Sequence, residues 1–416
     1  MANNFSKVDW VCMDTLRLLK HKLGIVSNFR PDYEKDFRQE FAVGDTVRVK
    51  YPWRPILRNS LGYVGGNIER IETTIVVDQV IGSDYDFGTV DKLLNMERGE
   101  EKVRAEYNDK MATYIASEFD RRAAQFAAQQ CNAIAGVLGT DPTTFDSTSA
   151  AARQNMGELD CPESGDRNMF VPYAVSRAIK GGSDANLSRF GPLDEIKTLY
   201  KKGVVGTADG FDWYESNSLY QHTAGTWGGA VTLSSAAANG ATSLAVTCTD
   251  GDTFKKGDKI GIGSVFPVNP VTRTRTQSTR TYNVSVAQDV TASGTSATIP
   301  INETIYFQGN YQNVDAQPAA SATLTLWPGT SSPSGKVGKI GLAIHRDAFA
   351  MVNLALPMPK KEEVIGEASD DETGLWLGFI RSFDARSRSW INRMDSGLFG
   401  FGRLHTEACA VAIACK

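Results

Sequence analysis

One long run of residues repeating at steps of three and four constrains this chain more than any other feature. Over residues 97–138, Val103, Tyr107, Met111, Tyr114, Ile115, Phe119, Ala123, Phe126, Gln130, Ile134 and Val137 recur at that spacing, and only a helix lines such positions on one face. Arg104, Glu106, Asp109, Lys110, Glu118, Asp120 and Arg121 fall between them as a solvated face of mixed charge, and Gly136 and Gly139 mark the stop. At ~1.5 Å per residue the rod would be about 55–60 Å long, more than an ordinary globular helix needs. The pattern alone fits a long core helix or half of a coiled coil equally well, so the flanking segments have to decide.

Ahead of the helix, residues 41–50 (FAVGDTVRVK) and 71–80 (IETTIVVDQV) alternate in the manner of strands that could pair antiparallel. The stretch between them holds Pro52, Pro55, Gly62, Gly65 and Gly66, which exclude a helix. Its Trp53, Ile56, Leu57, Tyr63 and Val64 supply apolar surface that a projecting loop cannot bury by itself. It reads as a loop resting on a neighbouring copy, or as a lid over a ligand. In the first thirty residues Val8, Val11, Cys12, Leu16, Leu19 and Leu23 make a helical stripe that Gly24 ends, either an arm or a surface helix of the main body.

Beyond the long helix the chain turns mixed α/β: a strand at Met169–Val171, a helix-like VPYAVSRAIK, a charged helix LDEIKTLYKKG, and a strand at Phe211–Glu215. The same style resumes over residues 337–358 as a strand, a short helix and a Pro-limited edge. The segment from 226 to about 336 differs in kind. It is rich in Thr, Ser, Ala and Gly, with TSLAVTC, DKIGIG, YNVSVAQDV, SATIPI, TIYFQG and ATLTLW as short strands between turns, which predicts a small barrel or sandwich. With α/β character on both sides, it is an inserted domain rather than a tandem one.

Composition narrows function mainly by exclusion. The chain of 416 residues is 41% hydrophobic and 22% charged, enough for two or three cores. It has no apolar run long enough for a bilayer and no secretory leader pattern, which predicts use in cytoplasm without a membrane partner. A net charge of -4 and a pI near 5.7 oppose a dedicated nucleic-acid binder. Six cysteines without a Cys-x-x-Cys suggest reduced thiols rather than a disulfide frame or a zinc site. His21, His222, His345 and His405 lie in separate segments with no metal-ligand spacing, and no nucleophile elbow or phosphate-binding loop occurs. Asp250, Asp252 and Asp258 resemble a calcium loop only loosely, because its bidentate glutamate is missing. No catalytic, cofactor or metal residue is therefore assigned. In TRTRTQSTRT, Arg273, Arg275 and Arg280 are candidates for contact with an acidic neighbour. On a strand Arg273 and Arg275 would share a face; a solvated hairpin is the plainer reading.

Taken together, ETTIVVDQVIGSDYDFGTVDKLLN, NMFVPYAVSRAIKGG, SRFGPLDEIKTLYKKGVVGTADGFDWYESNSL, KKGDKIGIGSV and KIGLAIHRDAFAMVNLALPMP resemble, in order and spacing, the major capsid proteins of tailed double-stranded DNA phages, specifically the Salmonella podophage coat type with an inserted β-barrel. The resemblance implies an α+β fold with an N-terminal arm (1–30), an extended loop (45–75), and a peripheral domain (31–44 and 76–149) holding a spine helix at 97–138. It further implies an axial domain (150–225 and 337–390), the inserted domain (226–336), and C-terminal strands (391–416) returning beside the spine. It implies a structural, non-enzymatic protein that self-assembles as hexamers and pentamers of an icosahedral virion shell in the host bacterial cytoplasm. Scaffolding, portal and decoration proteins would be partners, and packaged DNA would be touched weakly and without sequence preference. Inter-subunit contacts would come from Trp53, Arg54, Arg58, Tyr63, Glu69 and Arg70 of the extended loop and from Arg273, Arg275 and Arg280. The insertion is shorter near 235–243 than in the best-known members, which puts their bridge between capsomers in question here. No lysine in the Arg-rich loop at 54–70 matches the covalently crosslinking subgroup, which implies a non-covalent shell. An encapsulin-like compartment shell is the alternative, and a carbohydrate-active enzyme with a β module the remote one.

Overall fold

The computed structural model describes residues 6–31, 46–50, 54, 61, 72–88, 109–139, 149–163, 165–180, 206–276, 280–327, 335–356, 364–370, 373–386, 389–404 and 409–415. The chain divides into two compact units, one of residues 1–49, 72–123 and 349–404, the other of residues 50–71, 124–348 and 405–416.

In the first unit, helix α1 (Ser6–Lys22) carries Cys12, Leu16 and Leu19 on a buried face. It packs on strands β19 (Val364–Asp370) and β20 (Leu375–Asp384), with the Cys12 thiol 3.3 Å from the Leu377 carbonyl. The N-terminal stripe is thus the face by which α1 packs on these strands. Those strands continue antiparallel through β21 (Ser389–Ser396) to β3 (Gly82–Gly88). β1 (Thr46–Lys50) pairs with β2 (Glu72–Val76), and β18 (Phe349–Leu354) pairs with β22 (Leu398–Arg403). Val49, Ile75, Val77, Ala350, Val352 and Leu398 form one core between them. The strands approach so closely that a Cβ on Gly400 would fall inside the van der Waals radius of the Val76 carbonyl oxygen, which is why glycine stands there. The short helix expected in 337–358 is strand β18 instead. Five of its six residues are fully buried against β22, and an unbroken apolar run of that length suits a buried strand as well as a helix.

The long helix α2 spans Asp109–Gln130, 22 residues, or roughly 33 Å at ~1.5 Å per residue; residues 97–108 lie outside the described residues. It ends earlier than the predicted 138, because Ala133–Gly136 form strand β4, parallel to β23 (Ala410–Ala414). Its buried face is built largely from Ala112, Ala116, Ala123, Ala124, Ala127 and Ala128, while Tyr114 of the sequence stripe is 75% exposed. Asp120 fixes the helix in the first unit. Its carboxylate accepts the amide N–H groups of Gly24, Ile25 and Val26 at 3.0 Å each, and Phe119 lies 4.8 Å from Phe399, centroid to centroid.

The second unit is organised on a mixed sheet in the order β4–β23–β17–β5–β7–β6, with β5 at Arg167–Val171, β6 at Thr207–Ala208, β7 at Phe211–Glu215 and β17 at Val337–His345. Helices α3 (Ser149–Glu158) and α4 (Tyr173–Lys180) flank β5 in sequence. The segment from 193 to 203, predicted as a charged helix, lies outside the described residues. Residues 231–326 form a six-stranded sheet in the order β13, β12 (Lys259–Ile262), β16 (Thr323–Leu326), β9 (Val231–Leu233), β10 (Ala241–Thr247), β15. Its outer strands β13 (Asn283–Ser285) and β15 (Ser296–Ile305) meet at a Val286–Ile301 bridge, so the sheet closes almost fully into a barrel. Barrel closure removes exposed edges. Leu244, Val246, Ile260, Ile262, Val284, Ile299 and Leu324 alternate inward to fill it.

Candidate functional site

The barrel leaves the sheet and returns to it at one place. β8 (Gln221–Thr223) pairs with the start of β17, Thr223 opposite Val337, and the bonds continue outward as Ala224 N–H to Lys336 O (2.9 Å) and Gly335 N–H to Gly225 O (3.2 Å). Asp258, 1% exposed, locks this neck. Its carboxylate accepts Gly225 N–H (3.1 Å) and Lys255 N–H (2.7 Å) and lies 2.8 Å from His222 Nε2. Gly225 is required there, since a Cβ would overlap the Thr253 carbonyl oxygen. The other two acidic residues of the calcium-like stretch also serve backbone amides: Asp252 accepts Gly228 and Thr249 N–H, and Asp250 accepts Gly294 N–H.

Three further ties hold the barrel against its own unit. The buried Lys259 ammonium donates to Gln129 O at 3.1 Å, and Asn302 Nδ2 (3.1 Å) and Ser285 Oγ bond the same carbonyl. A cation on the carbonyl end of α2 answers both its unsatisfied acceptors and its dipole. Trp327 Nε1 donates to Gly136 O at 3.2 Å, and Asn269 Nδ2 to Glu158 O at 2.9 Å.

Of the loop residues singled out in the sequence, Trp53, Arg58, Tyr63, Glu69 and Arg70 lie outside the described residues. Arg54 is half-buried, its guanidinium 5.7 Å from the Tyr311 ring centroid, and Leu61 is fully exposed. Over residues 271–276 the arginine-rich stretch is a turn rather than a strand. Asn269 Oδ1 accepts Val271 and Thr272 N–H, Arg273 adopts φ 55°, and Arg275 makes a single bridge to Val268 while its guanidinium stacks 3.3 Å over Phe266. Arg273 and Arg275 therefore do not share a strand face, because the Asn269 side chain holds the backbone in a tight turn. Arg280 is half-buried beside Tyr282 and Asn132.

Residues 46–365 match the family described as P22 coat protein, gene protein 5. The chain belongs to the P22 coat protein family. It is a major capsid protein, a structural component of the virion shell that assembles with copies of itself. Solved structures similar to this coat protein include one from Mycobacterium phage Che8 (12% identity, 94% of this chain and 90% of that one, TM-score 0.46). Others are the mature capsid of bacteriophage PhiM1 (10%, 90% and 84%, TM-score 0.40) and the acid-stable capsid of Helicobacter pylori bacteriophage KHP30 (11%, 90% and 85%, TM-score 0.41). No curated protein matches the chain.

Among the described residues two histidines are buried. His222 is at the neck, and His345, at the end of β17, accepts the Asp347 amide at Nδ1 (3.2 Å). Sequence reading leaves His345 without a role. The fold places it with Cys161 and Cys409, donor atoms within 4.8 Å of one another. A hydrogen bond with Cys409, and after it the Arg167 guanidinium, draws the Cys161 thiol below its ordinary value, whereas that bond and burial push Cys409 up. Separations of 184 and 64 residues in the chain (345 − 161 and 409 − 345) carry no spacing signal; only the pairing of β17 with β5 and β23 gathers these residues.

Proposed function

We propose that this coat protein builds the icosahedral shell around the double-stranded DNA of a tailed phage, in hexamers and pentamers, with residues 45–75 as the loop that overlaps an adjacent subunit. The observation that carries this reading is the family match over 46–365, which spans the loop and the whole insertion. Supporting it, β1 and β2 pair at the loop's base while Leu61 stands fully exposed near its middle. An apolar side chain so placed gains free energy only against another chain. Under this reading residues 31–44 and 76–149 correspond to the peripheral domain, residues 150–225 and 337–390 to the axial domain, and residues 226–336 to the inserted domain. Scaffolding and portal proteins, and a decoration protein, are further partners. With a net charge of -4, contact with packaged DNA is weak and non-specific. All six cysteines are buried thiols outside any disulfide, in keeping with assembly in a reducing host cytoplasm.

Sedimentation and negative-stain microscopy of the expressed protein, with its scaffold if needed, test the proposal. The wild type should give uniform closed shells. A deletion of residues 53–66 should give folded subunits, with unchanged circular dichroism, that fail to make stable shells. Shells from the deletion variant as stable as wild type would overturn the assignment of the loop.

A further inference from the structure

We propose that Cys161, His345 and Cys409 bind a thiophilic divalent cation, zinc being the ion that best suits two sulfurs and an imidazole. All three side chains are buried and their donor atoms lie within 4.8 Å of one another. A tetrahedral zinc with Zn–S near 2.3 Å and Zn–N near 2.0–2.1 Å needs donors roughly 3.5–3.8 Å apart, so small rotamer adjustments close the set.

The backbone fixes the positions beforehand. Cys161 follows α3, His345 ends β17 and Cys409 precedes β23. His345 stands opposite Arg167 in the β5 register and donates its amide to Cys409 O at 2.8 Å. Arg167 in turn holds the Cys161 turn, donating to Cys161 O (2.7 Å) and Pro162 O (3.0 Å).

The charges also fit. Arg167 is 5% exposed and, among the described residues, has no carboxylate at ion-pair distance; a cation so placed favours thiolates next to it. Behind the imidazole, Asp347 Oδ2 lies 3.8 Å from His345 Nδ1. Metal binding through Nε2 puts the ring proton on Nδ1, which then donates to that carboxylate in place of accepting the Asp347 amide, and the carboxylate so orients the ring. A divalent ion with two thiolates and a neutral imidazole is uncharged, leaving Arg167 and Asp347 to balance each other. Binding releases the two thiol protons to solvent and needs no oxidant. A Cys161–Cys409 disulfide would need one and would leave His345 outside the bond.

The test uses the full chain purified under reducing conditions, stripped with chelator and reloaded with zinc or cobalt(II). The expected result is one metal ion per chain retained through dialysis, and with cobalt an intense sulfur-to-metal charge-transfer band. Cys161→Ser or Cys409→Ser should abolish that band, and His345→Gln should weaken cobalt affinity at least ~10-fold, while Cys248→Ser leaves both unchanged. Three results would overturn the proposal: no charge-transfer band in the wild type, a full band in Cys161→Ser, or two thiols fewer than six on titration of denatured protein prepared without reductant. If a variant fails to fold, the wild-type spectrum and stoichiometry still decide.

Discussion

Replacing Asp258 by alanine probes the neck of the inserted barrel most directly. The substitution strips the acceptor from two backbone amides, Gly225 and Lys255, and from the buried His222 ring. A buried donor left unsatisfied costs ~1–3 kcal/mol. The residue is 1% exposed, so water reaches these groups only if the neck opens. Three such donors give roughly 3–9 kcal/mol, or about 2–6 kcal/mol if His222 turns to another acceptor. Asp258→Asn keeps one carbonyl oxygen and should lose about half as much. Urea unfolding measures the change, and hydrogen exchange localises it. Amides of Ala224, Gly225 and Gly335 should lose protection before those of β12 (Lys259–Ile262) or β15. Asp258→Ala with a wild-type midpoint, or a loss of protection that begins inside the barrel, would refute the view that this carboxylate holds the neck.

Lys259→Met should cost about 1.5–3 kcal/mol, since it removes a buried charged hydrogen bond from the Gln129 carbonyl at the end of α2; thermal unfolding of the subunit checks it. Two carboxyls two residues apart on α2 give opposite acid responses. Hydrogen bonds from Arg121 and then Arg122 outweigh burial and hold Glu118 at about 2, so its contribution is present above 4.5 and disappears as pH falls toward about 2. Burial outweighs three amide bonds and raises Asp120 above 3.8, so the stabilisation from its protonated form is complete below 3.8 and is lost as pH rises through its folded value. In acid titrations of stability, Glu118→Gln should therefore flatten the loss on the acid side and Asp120→Asn should steepen it; parallel profiles would contradict the assignment. Arg275→Ala removes a stacked but exposed cation from Phe266 and should cost no more than ~1 kcal/mol by thermal unfolding.

The sequence read best where physical periodicity is local. TSLAVTC, DKIGIG, SATIPI and ATLTLW of the insertion and β7 at Phe211–Glu215 stand where alternation places them, whereas TIYFQG forms no strand of its own, because β15 runs from Ser296 only to Ile305. Ala133–Gly136 was illegible because Ala-Ile-Ala-Gly satisfies a helical period as readily as a strand, and its partner lies at Val411–Ala414. β18 failed for a related reason, being buried along nearly its whole length and so showing no alternation. The arginine turn depended on one asparagine side chain, a determinant that charge pattern does not register. In the candidate site, residue types pointed to loops and arginines, while Asp258, Lys259 and the Cys161–His345–Cys409 group became visible only once distant strands were paired.

The order of strands around β23 governs how the chain can fold. β4 and β17 are not neighbours; β23 lies between them, parallel to one and antiparallel to the other. During synthesis β4, β5, β7 and β17 all emerge before residue 410 does. Until then β4 and β17 each carry an open hydrogen-bonding edge, beside apolar residues such as Leu342 and Ile344 that are fully buried in the finished sheet. Open edges of this kind pair with other chains. The strand that seals the sheet is thus made after the other strands of that sheet, and a subunit in transit is most exposed to premature association in the interval before it arrives.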